Sequence, residues 1–272
     1  MEIYHESKTY IKHVNLAVFN LSVSESFYNE VMHLDTLSKT DETVILGNRG
    51  NPLITLVKSR KRHQFQEGLY HIAFLLENED QLATWISLNR RFPNFLGASH
   101  HGVSKAIYLE DPDGHGIEVY ADLDDTKWHY ESNEIQMVTL PLDIDELLMK
   151  SMYNDQFKFT IGHLHLRTKN VEKAAEFYRL LGFKMTLDLR SAVFMSFNHY
   201  HHHLALNSWN LHDKEEHDEE VADIRAYEIW YDSKLAFDSA RHMLDHQEIS
   251  YQEEGKTILL KDPLNIQIKL TY

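Results

Sequence analysis

The 272-residue chain contains no cysteine. This excludes disulfides, thiolate metal sites and a cysteine nucleophile, so any metal must be held by nitrogen and oxygen. No apolar run approaches the roughly 18 residues of a membrane span, and no membrane partner is expected. The first residues, MEIYHESKTY, lack the apolar stretch of a signal peptide, which leads to an expected cytoplasmic location. A basic face is missing as well: the formal charge of −15 leaves little to neutralise phosphates and argues against nucleic acid as a partner. The one basic cluster, KSRKR from Lys58 to Arg62, is expected to be a solvated loop.

What is present describes a globular protein, with 43% hydrophobic and 11% aromatic residues. The length suffices for two domains of ordinary size. Nineteen histidines are the obvious nitrogen source for a metal, although many histidines simply lie on surfaces.

The chain repeats itself. A strand, an amphipathic helix and antiparallel strands recur four times, at 7–60, 68–123, 159–209 and 224–272. In the first module IKHVNLAVFN leads into LSVSESFYNEVMHL, where Ser22 and Glu25 have capping-box spacing. The second has a helix near Glu79 to Asn89 presenting Leu82, Trp85 and Ile86. In the third, Asn170 is placed to cap a helix that Gly182 ends. The fourth closes with DPLNIQIKL, which repeats DPDGHGIEV of the second. The connector 124–158 is too long for a plain loop, and Asp143 and Glu146 before Leu147 predict a helix in it. The acidic run from Asp213 to Asp223 is expected to be a solvated loop.

The second module carries the most chemistry. His71 and Glu118 lie on its first and last strands, within apolar alternating runs where an ionisable side chain must be hydrogen-bonded or bound to a metal. Two ligand-type residues on neighbouring strands suggest a metal.

From these modules, and above all from HG followed by VSKAIYLEDPDGHGIE, the chain resembles the vicinal-oxygen-chelate superfamily in the four-module form of the extradiol catechol dioxygenases. The resemblance implies an α+β fold with four βαβββ modules paired into two open-barrel domains, residues 1–123 and 159–272. It also implies a site of two histidines and one carboxylate, with positions open for substrate and oxygen. Carried over, His71 and Glu118 become two ligands, Tyr108 the active-site tyrosine and His101 a histidine beside the substrate. The third ligand is His13 if modules one and two pair, and His163 if two pairs with three. The family's acid/base histidine belongs to the same module as that ligand. Module one has NPLITLV there, whereas module three has HHHLALN with His202 at the family position. Module four offers no alternative, because Glu228 is aligned with His71 and Lys269 with Glu118, and a protonated lysine cannot ligate a cation. A crosswise pairing, two with three and one with four, is therefore favoured, with His163 as third ligand.

A lone histidine on a strand is more often a core or surface residue than a ligand. Here His71, His101, Tyr108, Glu118 and the pair His163 and His202 fall together where one chemistry requires them. Alternation would turn His201 and His203 away from His202, and His115 belongs to a turn. The resemblance implies an Fe(II)-dependent extradiol dioxygenase acting on a small aromatic diol and O₂, with Mn(II) or another divalent metal as substitute. His202 would move protons, while Tyr108 and His101 would hydrogen-bond substrate oxygens. The alternatives are a glyoxalase-like isomerase or thiol transferase, whose sites usually add a fourth ligand or rearrange the carboxylate, and a metal-free small-molecule-binding resistance protein. The particular catechol, proximal or distal cleavage, and whether the chain forms a homo-oligomer stay open.

Overall fold

A computed structural model describes residues 8–92, 94–131, 134–152, 156–209, 211 and 218–272. The fold is mixed α+β, with two large open sheets and few helices. In one sheet of eight strands the order is Gln252–Glu254, Thr257–Lys261, Gln267–Thr271, Ile224–Trp230, Tyr10–Val18, Asn51–Lys58, Thr43–Asn48 and Asp35–Lys39. The other sheet, of nine strands, runs Leu140–Pro141, Phe95–His100, Ser104–Glu110, Gly116–Asp122, Gly68–Leu76, Phe159–Arg167, Leu204–Asn207, Ala192–Ser196 and Lys184–Asp188.

The sheets therefore do not follow the chain halves 1–123 and 159–272. The first sheet unites the first and fourth modules and the second unites the second and third. The join in each is an antiparallel pair of opening strands, with His163 opposite Ala73 and His165 opposite His71 in one, and His13 opposite Glu228 in the other. These strands are almost wholly buried, so their backbone groups need a partner on both sides, which the facing module supplies.

Two buried tyrosines on helices tie the sheets to each other. Tyr28, on the Leu21–Glu30 helix of module one, donates to Asp111 of module two at 3.3 Å. Tyr178, on the Val171–Leu180 helix of module three, donates to Asp262 of module four at 2.6 Å. Trp85, fully buried on the Glu79–Asn89 helix, donates to the Val31 carbonyl at 2.9 Å. One continuous apolar cluster runs through both sheets and these helices. Burying a side chain such as Trp85 contributes about 2–3 kcal/mol.

The repeated DP turns share a left-handed residue, Gly114 at φ 91° and Asn265 at φ 66°. Glycine takes this conformation without strain, and asparagine tolerates it better than most residues.

Local expectations fare unevenly. The module-one helix is capped by Asn20, whose side chain accepts from the Val23 amide, and not by Ser22; Glu25 instead pairs with Lys39 across to the neighbouring strand. Asn170 caps the module-three helix, and Gly182 follows it at φ 96°. In the connector, Asp143 caps the short helix Ile144–Leu148 by accepting from the Glu146 amide at 2.9 Å. The two charged loops are not simply solvated. Lys61 lies 2.9 Å from both Asp218 and Glu220, and Arg60 3.1 Å from Glu220, so the basic and acidic runs neutralise each other. Asp223 is 1% exposed and accepts from the Leu69 amide and the Gln66 amide group, closing the end of the strand that carries His71. Residues 213–217 of the acidic run lie outside the described residues.

Candidate metal centre and its cavity

Strand alternation sets His71 and Ala73 on one face of Gly68–Leu76, and Glu118, Tyr120 and Asp122 on one face of Gly116–Asp122. The parallel register places Ala73 opposite Glu118, which brings the carboxylate alongside His71. The antiparallel register then brings His163 in from the other module. Gly162 beside it has no freedom to carry a side chain, because a Cβ there would lie 1.9 Å from the Tyr120 hydroxyl.

The result is a triangle of ligand atoms. His71 Nε2 lies 3.0 Å and His163 Nε2 3.3 Å from Glu118 Oε2, and the two nitrogens are 3.2 Å apart. All three residues are buried. Ligands at right angles around a cation, each about 2.1 Å from it, are separated by about 3.0 Å, so the donor set fits a divalent metal on one face of an octahedron. Without such a cation, two imidazole nitrogens 3.2 Å apart need a proton between them and lose a lone pair that the site otherwise uses.

The protonation states suit this. Burial alone would raise the Glu118 carboxyl, but His163 and His71 beside it hold it well below the carboxylate range. Burial holds the His163 imidazole down to about 4, which keeps it neutral at pH 7. A carboxylate and neutral imidazoles are the forms that coordinate. His163 Nδ1 is buried and lacks a hydrogen-bond partner among the described residues.

A cavity of about 490 Å³ opens onto the triangle. Tyr108 and His101 line it on one side. The Tyr108 hydroxyl is 2.7 Å from His101 Nε2, and His101 Nδ1 meets the Val138 carbonyl of the connector at 2.8 Å. Burial and the Glu118 charge push the Tyr108 hydroxyl well above its usual range, so it keeps its proton, which it donates to His101 Nε2 because His101 Nδ1 donates to the carbonyl. His202 lines the far side, its ring 4.1 Å from that of His163, and burial among imidazoles holds it well below the usual histidine range. All six residues singled out in the sequence are therefore brought together at one cavity, whereas His13 lies in the other sheet, 2.8 Å from the Thr55 hydroxyl.

Other residues at the cavity or directly behind its wall carry no strong sequence signal. His165, its ring nearly perpendicular to that of His71 at 4.9 Å, meets the Asn207 amide at 2.8 Å, and Trp209 and Tyr70 pack around it. Only the HxH spacing of His163 and His165 could have flagged it. His201 is 1% exposed and lies against His202, with the two Nδ1 atoms 2.7 Å apart. Alternation fails to separate them because the strand begins at Leu204 and residues 197–203 are irregular. His115 is a buried ion-pair partner of Asp111 at 2.8 Å, a larger role than a turn residue.

The register also corrects the alignment of module four. Pairing of His71 with Gly116 corresponds to pairing of Ala226 with Gln267, so Ala226 stands where His71 stands and Glu228 corresponds to Ala73. Lys269 keeps its place opposite in the alignment to Glu118.

A scaffold of paired βαβββ modules holding two imidazoles and a carboxylate defines a class, and sequence comparison agrees with it. The sequence model of the Glyoxalase/Bleomycin resistance protein/Dioxygenase superfamily matches residues 10–119 and 160–247, and the chain belongs to that family. It is 31% identical to Catechol-2,3-dioxygenase of Bacillus subtilis (strain 168), with 97% of each chain covered. It is 30% identical to Metallothiol transferase FosB of Staphylococcus epidermidis, over 47% of this chain and 94% of that one. Among solved structures it resembles a proposed dioxygenase from Bacillus subtilis subsp. subtilis str. 168, with a TM-score of 0.67 at 13% identity, covering 96% of this chain and 84% of that one. Glyoxalase I from Zea mays gives a TM-score of 0.57 at 13% identity, covering 97% and 92%.

Proposed function

We propose that the protein is an extradiol dioxygenase that opens the ring of a catechol-type substrate with O₂, using a divalent metal, Fe(II) in the first place, held by His71, Glu118 and His163. The observation that carries this reading is the buried His–His–Glu triangle facing a cavity of about 490 Å³. His71, Glu118 and His163 would hold the metal, which would supply the alignment and electronic coupling of the diol and O₂.

The chain's own residues would do the rest. Tyr108, whose proton is donated to His101 Nε2, would accept a hydrogen bond from a substrate hydroxyl on its oxygen and help orient the ring. His202, neutral at pH 7, would take a proton from the diol side of the cavity and return one as the ring opens. Phe194, Trp209, Leu187 and Leu189 line the cavity and would exclude water around an aromatic ring.

The partial likeness to a thiol transferase gives the second reading less support. Ala205, paired with His165, occupies on module three the place that Glu118, paired with Ala73, has on module two, so no further carboxylate is offered there. Anaerobic loading with Fe(II), followed by a panel of catechols, tests the proposal. Oxygen uptake with a yellow ring-opened product is expected, and a fully loaded protein that consumes no oxygen with any of them overturns it.

A further inference from the structure

Beyond the three proposed ligands, the cavity wall holds a second set of coupled side chains. His202 reaches the cavity, and its Nδ1 lies 2.7 Å from His201 Nδ1. The other nitrogen of His201, Nε2, lies 2.9 Å from Asp122 Oδ1. The second carboxylate oxygen accepts from the Tyr200 hydroxyl at 2.8 Å, which in turn meets the Tyr120 hydroxyl at 2.8 Å. Two aromatic rings fix the orientation of His201, Tyr200 at 4.0 Å and 33° and Trp128 at 5.2 Å. Asp122 ends the strand that carries Glu118 and faces the same way, so one rigid element sets both the metal ligand and the end of this chain of contacts.

The donor and acceptor inventory fixes where the protons sit. A carboxylate only accepts, so His201 must carry its proton on Nε2. A neutral imidazole has one N–H, which leaves His201 Nδ1 as an acceptor. The 2.7 Å contact then needs the proton on His202 Nδ1. His202 is left with a lone pair on Nε2, the nitrogen turned away from His201. An isolated imidazole favours neither arrangement strongly, so its tautomer is set by what the other nitrogen meets.

We propose that Asp122 and His201 are positioning residues that lock His202 in its Nδ1–H tautomer, so that a bare Nε2 is presented to the cavity. The proposal rests on reading His202 as the acid/base of the oxygenase, and it names the two residues that prepare it for that role. Neither touches substrate. Each acts through its neighbour, as an aspartate does when it fixes the tautomer of a catalytic histidine.

The test has one arm without turnover. In metal-free protein labelled with ¹⁵N-histidine, the nitrogen spectrum at pH 7.5 is expected to show His202 protonated on Nδ1 and His201 on Nε2, with assignments from His201→Gln and His202→Gln. A His202 protonated on Nε2, or a doubly protonated His201, overturns the proposal. In Asp122→Asn the amide N–H₂ can donate to His201 Nε2, which reverses both tautomers. Metal content and KM are expected to stay within about twofold of wild type, while kcat falls about 10²-fold or more. Recovery of part of that loss is expected in Asp122→Glu, which restores an acceptor. An Asp122→Asn variant with reversed tautomers and unchanged kcat overturns the proposed role. If no catechol is oxidised by any form, the oxygenase reading fails, while the tautomers still decide whether Asp122 and His201 hold His202 as stated.

Discussion

The two sheets share one plan and differ at two of three corresponding positions. In the sheet of modules two and three the three are His71, Glu118 and His163, whose ligand atoms meet within 3.3 Å. In the sheet of modules one and four they are Ala226, Lys269 and His13. There the space is taken by Glu228, a salt-bridge hub that accepts from Lys12 at 3.1 Å, Lys269 at 3.0 Å and Thr271 at 2.8 Å. Burial would raise the Glu228 carboxyl, but Lys269, Thr271 and Lys12 hold it below the usual range. One sheet gathers lone pairs at a cavity with no lysine or arginine in its lining among the described residues. The other supplies its own cations, so the same scaffold closes a site by satisfying the carboxylate internally.

The sharpest way to break this comparison is to exchange the roles of the two equivalent histidines. His163→Ala is expected to abolish metal binding and lower turnover by at least about 10³-fold, since a two-ligand site holds a divalent cation poorly. His13→Ala, which removes a contact to Thr55, is expected to leave both near wild type. Metal analysis after anaerobic reconstitution and gel filtration reads the difference. A metal retained in His163→Ala and lost in His13→Ala would move the site to the other module.

These two histidines also mark how far the sequence alone could reach. His71 and Glu118 were legible because polar groups in apolar alternation stand out, and the DP turns aligned their modules. The choice between His13 and His163 depends on which opening strands pair, a long-range contact that local patterns express only through HHHLALN. The sequence places Glu228 two residues out of register because AYEIWYD has no histidine to anchor its alignment, and the strand pairing supplies that anchor. Alternation turns His201 away from His202 on paper and fails in the fold, because the period of two holds inside a strand and residues 197–203 are not one. Asp223 belongs to an acidic run whose composition predicts a solvated loop, although three N–H donors satisfy it where it is buried.

The repeated turns extend the comparison to pH. In DPDGHG, burial opposes charge on His115, but Asp111 beside it raises the imidazole to about 9. Burial raises the Asp262 carboxyl of DPLNIQ to about 6, with no histidine nearby to offset it. The signs follow from the ordinary values of 6.5 and 3.8. His115 contributes stability that is fully present below about pH 6.5 and is lost as pH rises through about 9. Asp262, whose native value is also raised, contributes stability present below about 3.8 and lost as pH rises through about 6. At neutral pH the first turn therefore stabilises the fold and the second costs it. His115→Gln is expected to lower stability at pH 7 by on the order of 2–3 kcal/mol, a difference that shrinks toward pH 10. Urea titrations of both proteins at pH 6, 7, 8.5 and 10 check it. A difference constant across that range would remove the ion pair from the account.

The smallest effect tests whether the closed site is closed by charge or by shape. Lys269→Ala removes one of the two lysines on Glu228, but Lys12 and Thr271 remain, and the Lys269 side chain is 45% exposed. Solvent screening limits the loss to at most about 1 kcal/mol, seen as a shift of a few degrees in the melting temperature. Metal content is expected to stay at one ion per chain, because Ala226 still stands where His71 stands and a single carboxylate beside His13 is one ligand short. A second ion bound by Lys269→Ala would show that lysine charge alone had kept the first and fourth modules empty, and that the alanine at 226 matters less than the register implies.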